Sequence, residues 1–439
     1  MAKRANPLIN SDFAFLWAAQ GISFLGDYIF DTTLVVWIAA VIARGQSWAP
    51  LAVSGVFVAI SVPTLVIAPL AGVLVDRSDK RRMMMAMDLL RAILIAVLLG
   101  STGIIGGFHP TTQIQLGSIY VVVFLATACA QFFGPARFAL LGDLVPEASR
   151  SQATSMSQVT ASVSAIIGPP LAVPVLFVLG IQWALIANAF SFIFSLILVS
   201  LVHAPVAARS SDSGDKPDFL GELRKGFQFT FTNPLVRTML ISVFIVTLGV
   251  GALNALDVFF MIKNLNTAAN LYGFLVSGLG LGVLVGAIVS GSVAPRLGLR
   301  RVFWGSLIAL GILLLIYARM TTFVGAVIVL FFAGFPEAAV NVAVAPLLLA
   351  AVPRALIGRV ISLVGPITAI AGVLSAAGAA YLATSVLVGF HEHVGVVRLG
   401  TYDTIFSLAG LLVLTGGLYA MVSLRRADVL SREAPASHP

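Results

Sequence analysis

The sequence predicts an all-α integral membrane protein with twelve transmembrane helices in two pseudo-symmetric six-helix bundles. Composition is the first observation, because 59% of the residues are hydrophobic, 10% are charged and the mean hydropathy is +1.03, whereas soluble domains carry roughly 25% charged residues. The second is the number of long apolar runs, and the third is a basic loop that occurs twice. Together they predict a polytopic membrane protein built by duplication.

Runs of about 20 apolar residues, long enough to cross a bilayer, occur in both halves of the chain. Those of the first half are Phe13–Ala43, Leu51–Val75, Met83–Gly106, Leu116–Phe133, Ala153–Leu179 and Trp183–His203. Those of the second half are Leu235–Ile262, Leu271–Ala294, Val302–Ala318, Thr322–Ala345, Arg359–Val388 and Thr401–Leu424. The predicted domains are a bundle at 1–203, a cytoplasmic linker with an amphipathic helix at 204–233, a bundle at 234–424 and a cytoplasmic tail at 425–439.

The positive charges predict the orientation of these helices. If both termini are cytoplasmic, 21 of the 26 Lys and Arg residues fall on the cytoplasmic side, and the opposite side holds only Arg44, Lys263, Arg319 and Arg398. Cations concentrate in cytoplasmic loops of membrane proteins, so we expect a multi-pass protein of a bacterial-type inner (cytoplasmic) membrane. The net charge of +8 is explained by these loops, which argues against nucleic acid as a partner.

A basic hairpin and its copy support the duplication. Gly72–Arg82 reads GVLVDRSDKRR, and Gly291–Arg301 reads GSVAPRLGLRR after the corresponding helix of the second half. Pro295 stands in the copy where the first loop has Asp76. Two halves in parallel duplication are typical of transporters that bind their substrate between two bundles near the middle of the membrane.

With these loops and the twelve-helix plan, the chain resembles the major facilitator superfamily over almost its whole length. Gly72, Leu74, Asp76, Arg77, Lys80 and Arg81 match the signature loop of that superfamily. The segments FLWAAQGISFLGDYIF, FFGPARFALLGDLVP and IGRVISLVGP are similar to its macrolide-efflux branch of drug/proton antiporters, and also to the siderophore-export and lysophospholipid-transfer branches. Gly168-Pro169 resembles the core of the antiporter signature, although Ala172 and Val173 replace the glycines expected after it.

The resemblance implies a cytoplasmic gate at the signature loop. By that resemblance Gly72 forms the turn, and Asp76 binds the N-terminal end of helix 11, where free backbone amides favour an anion. Arg77 and Arg81 are then expected to reach Asp143 at the end of helix 4. Such contacts would break as the two halves move.

Two acids in predicted helix 1 are the main candidates for proton and substrate binding. Asp27 and Asp31 are four residues apart and share one helical face with Phe24 and Tyr28. Carboxylates deep in a bilayer normally face a cavity, and two close together do not both ionise easily. The alternative is that they hydrogen-bond neighbouring helices or lie close to the outer surface.

Acids in the second half form a further candidate group. Asp257 lies in predicted helix 7, the counterpart of helix 1, with Asn254 one turn earlier, and Glu337 lies in predicted helix 10 with Asn341 one turn later. For both acids, substrate or proton binding and structural polar pairing are equally supported. Asp88 and Arg91, expected near the cytoplasmic start of helix 3, are predicted to form a structural ion pair.

These features favour a secondary active exporter that moves lipophilic, cationic or neutral small molecules by proton antiport and alternating access, as a monomer surrounded by membrane lipid. The alternatives are a lysophospholipid or siderophore transporter of the same fold and, more remotely, a membrane-embedded enzyme. No phosphate-binding glycine loop follows a soluble strand, and His391-Glu392-His393 stands without further metal-ligating neighbours in the sequence. We therefore expect no enzyme activity, no metal and no cofactor, with the proton gradient as the energy source.

Overall fold

The computed structural model describes residues 9–103, 110–203, 228–353, 356–394 and 397–433. Within these residues, 12 helices are long and apolar enough to cross a membrane, which confirms the predicted fold class. Spans 1 to 6 are Ser11–Ile42, Ala49–Val66, Lys80–Ser101, Thr112–Leu144, Glu147–Leu179 and Ile181–Ser200. Spans 7 to 12 are Pro234–Lys263, Ala269–Leu297, Leu299–Tyr317, Phe323–Ala351, Leu363–Val386 and Thr401–Arg425.

Side-chain caps fix where several spans begin. The side chain of Asn10 accepts a hydrogen bond from the Phe13 amide at 2.7 Å, and the side chain of Asp79 accepts one from the Arg82 amide at 3.0 Å. Asp79 occupies the position of the signature loop where the family pattern has glycine, and its extended backbone (φ −67°, ψ 108°) suits an N-cap. In the second copy of the loop, Gly298 has a φ of +82°, which glycine tolerates best.

Two boundaries differ from those predicted, and the difference moves three charged residues. Span 3 is the helix Lys80–Ser101, because Asp79 caps a basic first turn that the count of apolar residues excluded. Asp88 and Arg91 therefore lie in the middle of span 3, and the expectation that they lie near its start was wrong. Span 4 continues to Leu144 through Pro135, so Arg137 lies inside a helix and not in the cytoplasmic loop to which the charge count assigned it.

The chain divides into two compact units. Unit 1 comprises Met1–Asp212 with Ala268–Ser277, and unit 2 comprises Ser213–Thr267 with Gly278–Pro439. In unit 1, span 1 packs against spans 5 and 6, and span 3 packs against spans 4 and 6. This arrangement places span 1 and span 3 on either side of span 6.

In unit 2, small residues allow spans 8 and 10 to approach closely. Added Cβ atoms at Gly282 and Gly286 would collide with the backbone at Phe331 and Phe335. The sequence shows small residues every four positions here, a pattern that favours close helix packing in membranes. The structure confirms that this stripe is a packing surface.

The connection between the halves is described only in part. Residues 204–227 lie outside the described residues, and with them most of the predicted linker and its amphipathic helix. Residues 228–232 are helical and precede span 7. Between spans 11 and 12, the strands His391–Val394 and Val397–Gly400 pair antiparallel.

Candidate substrate and proton site

The predicted acids of span 1 lie on one stripe in the middle of the membrane-spanning segment. Asp27 stands at the centre of the 32-residue span Ser11–Ile42, and the helical period puts Phe24, Tyr28 and Asp31 on the same side. Asp27 and Phe24 are half-buried within unit 1, whereas Tyr28 and Asp31 are exposed. Since a carboxylate does not face hydrocarbon without a large cost, this stripe has the composition of a cavity wall.

Span 1 packs closely against spans 5 and 6 next to this stripe. Gly26 is buried, and a Cβ added there would lie 2.8 Å from Cβ of Ser191 and 2.9 Å from Oδ1 of Asn188 in span 6. A Cβ added at Gly168 in span 5 would lie 2.6 Å from Cβ of Tyr28. Span 1 therefore packs closely against spans 5 and 6 at these positions.

A buried ion pair with aromatic walls lies in the middle of span 3. The Arg91 guanidinium donates to Oδ1 of Asp88 at 2.6 Å. The other carboxylate oxygen of Asp88 accepts a hydrogen bond from Ser195 of span 6 at 2.7 Å. Arg91 also lies over two rings, 4.5 Å from the centroid of Phe133 and 4.4 Å from that of Phe192. The predicted pair of Asp88 and Arg91 is thus confirmed.

This ion pair and the acid of span 1 belong to one electrostatic cluster. Arg91 and Asp88 both interact electrostatically with Asp27, and Asp27 interacts electrostatically with Asp31. Asp88 is fully buried and Arg91 is 4% exposed. The Nε atom of Arg91 has no hydrogen-bond partner among the described residues. The sequence indicated a structural pair only, because the register between spans 1 and 3 cannot be inferred from either span alone.

The residues of the predicted gate are only partly brought together. The backbone places Gly72 and Asp76 in the helix Ala68–Asp76, so the expectation that Gly72 forms the turn was wrong. The Asp76 side chain lies outside the described part of the structure. Arg77 is exposed. The contact of Asp76 with the N-terminal end of helix 11 stays a prediction.

The predicted partners of Asp143 were wrong. Its carboxylate pairs with Lys80 at 2.6 Å, whereas Arg81 donates to the backbone carbonyls of Val199 and Ser200 at the end of span 6. Lys80 lies in the first turn of span 3, and its side chain extends towards the end of span 4. Arg81, the next residue, lies on a different face of the helix and extends towards the end of span 6. Both contacts join the ends of spans 3, 4 and 6 at one end of unit 1.

In unit 2, Asp257 lies near the end of span 7 and makes a structural contact. It is 8% exposed and accepts a hydrogen bond from the hydroxyl of Tyr317 at the end of span 9. The Tyr317 ring packs 5.1 Å from that of Phe260 and 5.9 Å from that of Phe406. Asn254, predicted to share its surroundings, is exposed. Of the two readings left open for Asp257, this arrangement favours polar pairing.

Glu337 has a different environment. It stands at the centre of the 29-residue span Phe323–Ala351, directly after the buried Pro336, and is half-buried. Asn341, one turn later, is exposed. Glu337 makes no ion pair or hydrogen bond with any residue that the structure describes.

Two further features of the described residues, possible metal-binding groups and a surface groove, add no charged site. No group of three His, Cys, Asp or Glu side chains in the described ranges is arranged to hold a metal ion. A groove of about 500 Å³ between spans 2 and 4 is lined by apolar residues and by Tyr120, whose hydroxyl donates to the Ala52 carbonyl at 2.8 Å.

Twelve membrane-spanning helices define a multi-pass membrane protein, and its fold is that of solved transporters of the major facilitator type. The nucleoside transporter NupG superposes with a TM-score of 0.72, over 94% of this chain and 100% of NupG, at 12% sequence identity. At that identity the similarity shows the fold alone.

The family described as transmembrane secretion effectors matches residues 2–398, and the chain belongs to that family of the major facilitator superfamily. It is 26% identical to an uncharacterized MFS-type transporter, YfiS of Bacillus subtilis (strain 168), over 63% of either chain. It is 25% identical to macrolide efflux protein A of Streptococcus pyogenes over 49% of this chain and 50% of that protein. The matches thus span less than two thirds of the length of these relatives.

Proposed function

We propose that the protein is a secondary active exporter that moves lipophilic, cationic or neutral compounds out of the cell by proton antiport and alternating access. The observation that carries the proposal is Asp27, a half-buried carboxylate at the centre of span 1 that interacts electrostatically with Asp88 and Arg91. A carboxylate at this depth can bind either a proton or a cationic cargo, and competition between the two couples their movements.

The efflux direction is supported by the similarity to macrolide efflux protein A. The proton gradient would supply the energy without a bound cofactor. Because most of the 26 cations fall on one side of the predicted topology, even with Arg137 inside span 4, the proposal places both termini in the cytoplasm and the protein, as a monomer, in the cytoplasmic membrane.

The proposal is tested with purified protein in proteoliposomes and a panel of dyes, macrolides and lysolipids, with and without an imposed pH gradient. We expect the gradient to drive cargo accumulation, and we expect Asp27→Asn to abolish this drive while exchange of cargo down its own gradient continues. Glu147→Gln removes an exposed carboxylate outside this cluster and serves as the matched control. Cargo that moves equally fast with and without the gradient would refute proton coupling, as would unchanged coupling in Asp27→Asn.

A further inference from the structure

Arg137 is a charged residue beside span 1 to which the proposed mechanism gives no role. It stands in span 4, seven residues before the helix ends at Leu144, or about 10 Å from that end. Its guanidinium carbon lies 5.5 Å from the ring centroid of Phe24. Arg137 is half-buried, so its charged group extends into unit 1 towards the span 1 stripe.

The two arginines of spans 3 and 4 differ in how their charge is balanced. Arg91 has Asp88 as its counter-ion. Arg137 has the face of Phe24 but makes no hydrogen bond and no ion pair with any residue that the structure describes. A guanidinium carries five N–H donors and cannot lose its proton, and an ionisable group within a membrane span usually marks a ligand or ion pathway.

The neighbour of Arg137 is itself part of the proposed substrate site. Phe24 lies three residues before Asp27 on span 1, which is about 4.5 Å along the helix axis. Phe24, which lies beside the guanidinium, and Asp27 are therefore about one helical turn apart on span 1. Opposite charges near neighbouring turns of one helix can bind the two ends of one ligand.

We propose that Arg137 binds an oxyanion of the cargo, a carboxylate or a phosphate, while Asp27 attracts a cationic centre of the same molecule. The proposal rests on the proposed function in placing the cargo along span 1, and it narrows the cargo from cationic or neutral compounds to lipophilic zwitterions. Arginine suits this role because its planar fork forms paired hydrogen bonds to carboxylate and phosphate oxygens. The ring of Phe24, 5.5 Å from the guanidinium carbon, attracts its positive charge.

Two dyes that differ at one group provide the test. Rhodamine 110 carries a cationic xanthene and a free carboxylate, and rhodamine 123 is its methyl ester. Equilibrium binding of each dye to the detergent-solubilised full chain is measured by fluorescence anisotropy. Because a hydrogen bond to a charged group contributes roughly 1.5–3 kcal/mol, we expect rhodamine 110 to bind about tenfold or more tightly than rhodamine 123.

Variants connect this preference to Arg137. Arg137→Met should remove it by weakening rhodamine 110 while leaving rhodamine 123 within about twofold, and Arg137→Lys, which keeps the charge without the fork, should retain part of it. Arg44→Met, which removes an exposed arginine of the loop between spans 1 and 2, is the matched control. Equal affinity for the two dyes, no measurable binding of either, or an unchanged preference in Arg137→Met would overturn the proposal.

Competition identifies which oxyanion is preferred. Decyl phosphate and decanoate are titrated against bound rhodamine 110, and displacement by either one, but not by decanol, supports an oxyanion site. Displacement by decanol alone would contradict it. These measurements are made without a membrane or a gradient, so they can fail or succeed independently of proton-driven transport of rhodamine 123, which tests the proposed function.

Discussion

Removal of Asp88 should destabilise the protein more than removal of Arg91, although the two residues form one ion pair. Asp88→Leu leaves a guanidinium that is 4% exposed and cannot give up its charge. Breaking a buried pair in this way costs about 3–5 kcal/mol. The charge would retain only the faces of Phe133 and Phe192 and the more distant Asp27.

Arg91→Met should be milder, at about 1–3 kcal/mol. The remaining carboxyl can take up a proton and keep its 2.7 Å hydrogen bond with Ser195, so the loss is that of a buried hydrogen-bonding partner. The Met side chain refills the space between Phe133 and Phe192 with favourable sulfur–aromatic contacts. The double variant Asp88→Leu/Arg91→Met buries no charge at this position and should lie within about 2 kcal/mol of the wild type.

The assay is thermal unfolding of the purified protein and the three variants in one detergent. For a unit of 150–250 residues, 1 kcal/mol shifts Tm by roughly 2–4 °C, so we expect Asp88→Leu to lower Tm by about 6–20 °C and the double variant to recover most of that loss. If the double variant is as unstable as Asp88→Leu, the cost does not come from an unpaired charge and the reasoning is refuted.

Two further variants test side-chain contacts, one in each unit. Gly26→Ala should lower the free energy of unfolding by about 1–3 kcal/mol, because the added Cβ meets Ser191. Gly100→Ala, with no atom within 4 Å of the added Cβ, should not lower it and is the control. Equal Tm values for the two variants would contradict the close packing of spans 1 and 6. Tyr317→Phe should cost about 1–3 kcal/mol because a buried carboxyl loses its donor, and exposed Tyr381→Phe is its control; no difference in chemical unfolding between these two variants would argue against the hydrogen bond to Asp257.

The sequence was sufficient for the number of spans, because each contains an apolar run of about the length needed to cross the hydrocarbon core of a bilayer. It was insufficient for their ends. The hydrocarbon core sets how many apolar residues are needed, but caps such as Asp79 and polar continuations such as that after Phe133 decide where the helix stops. The predicted start of span 3 was a few residues too late, so the prediction placed Asp88 and Arg91 near the start of the span, whereas they lie in its middle.

Contacts between residues on different spans were the second feature that the sequence did not predict. The residue that bonds Asp88 is 107 positions away, and the one that bonds Asp257 is 60 positions away. A single sequence gives the face on which a residue lies but not the register of the neighbouring helix. Lys80, instead of Arg77 or Arg81, reaches Asp143 for this reason.

The duplication preserved the helices but not the chemistry at corresponding positions. Span 1 carries Asp27 at its centre, in electrostatic contact with a second acid and an arginine. In span 7 the acid lies near the helix end, where Tyr317 binds it. Glu337, in the centre of span 10, is an acid of unit 2 that makes no ion pair or hydrogen bond with the residues that the structure describes. Because equivalent spans differ in this way, the role proposed for Asp27 does not transfer by symmetry to Asp257, whose carboxylate accepts a hydrogen bond from Tyr317.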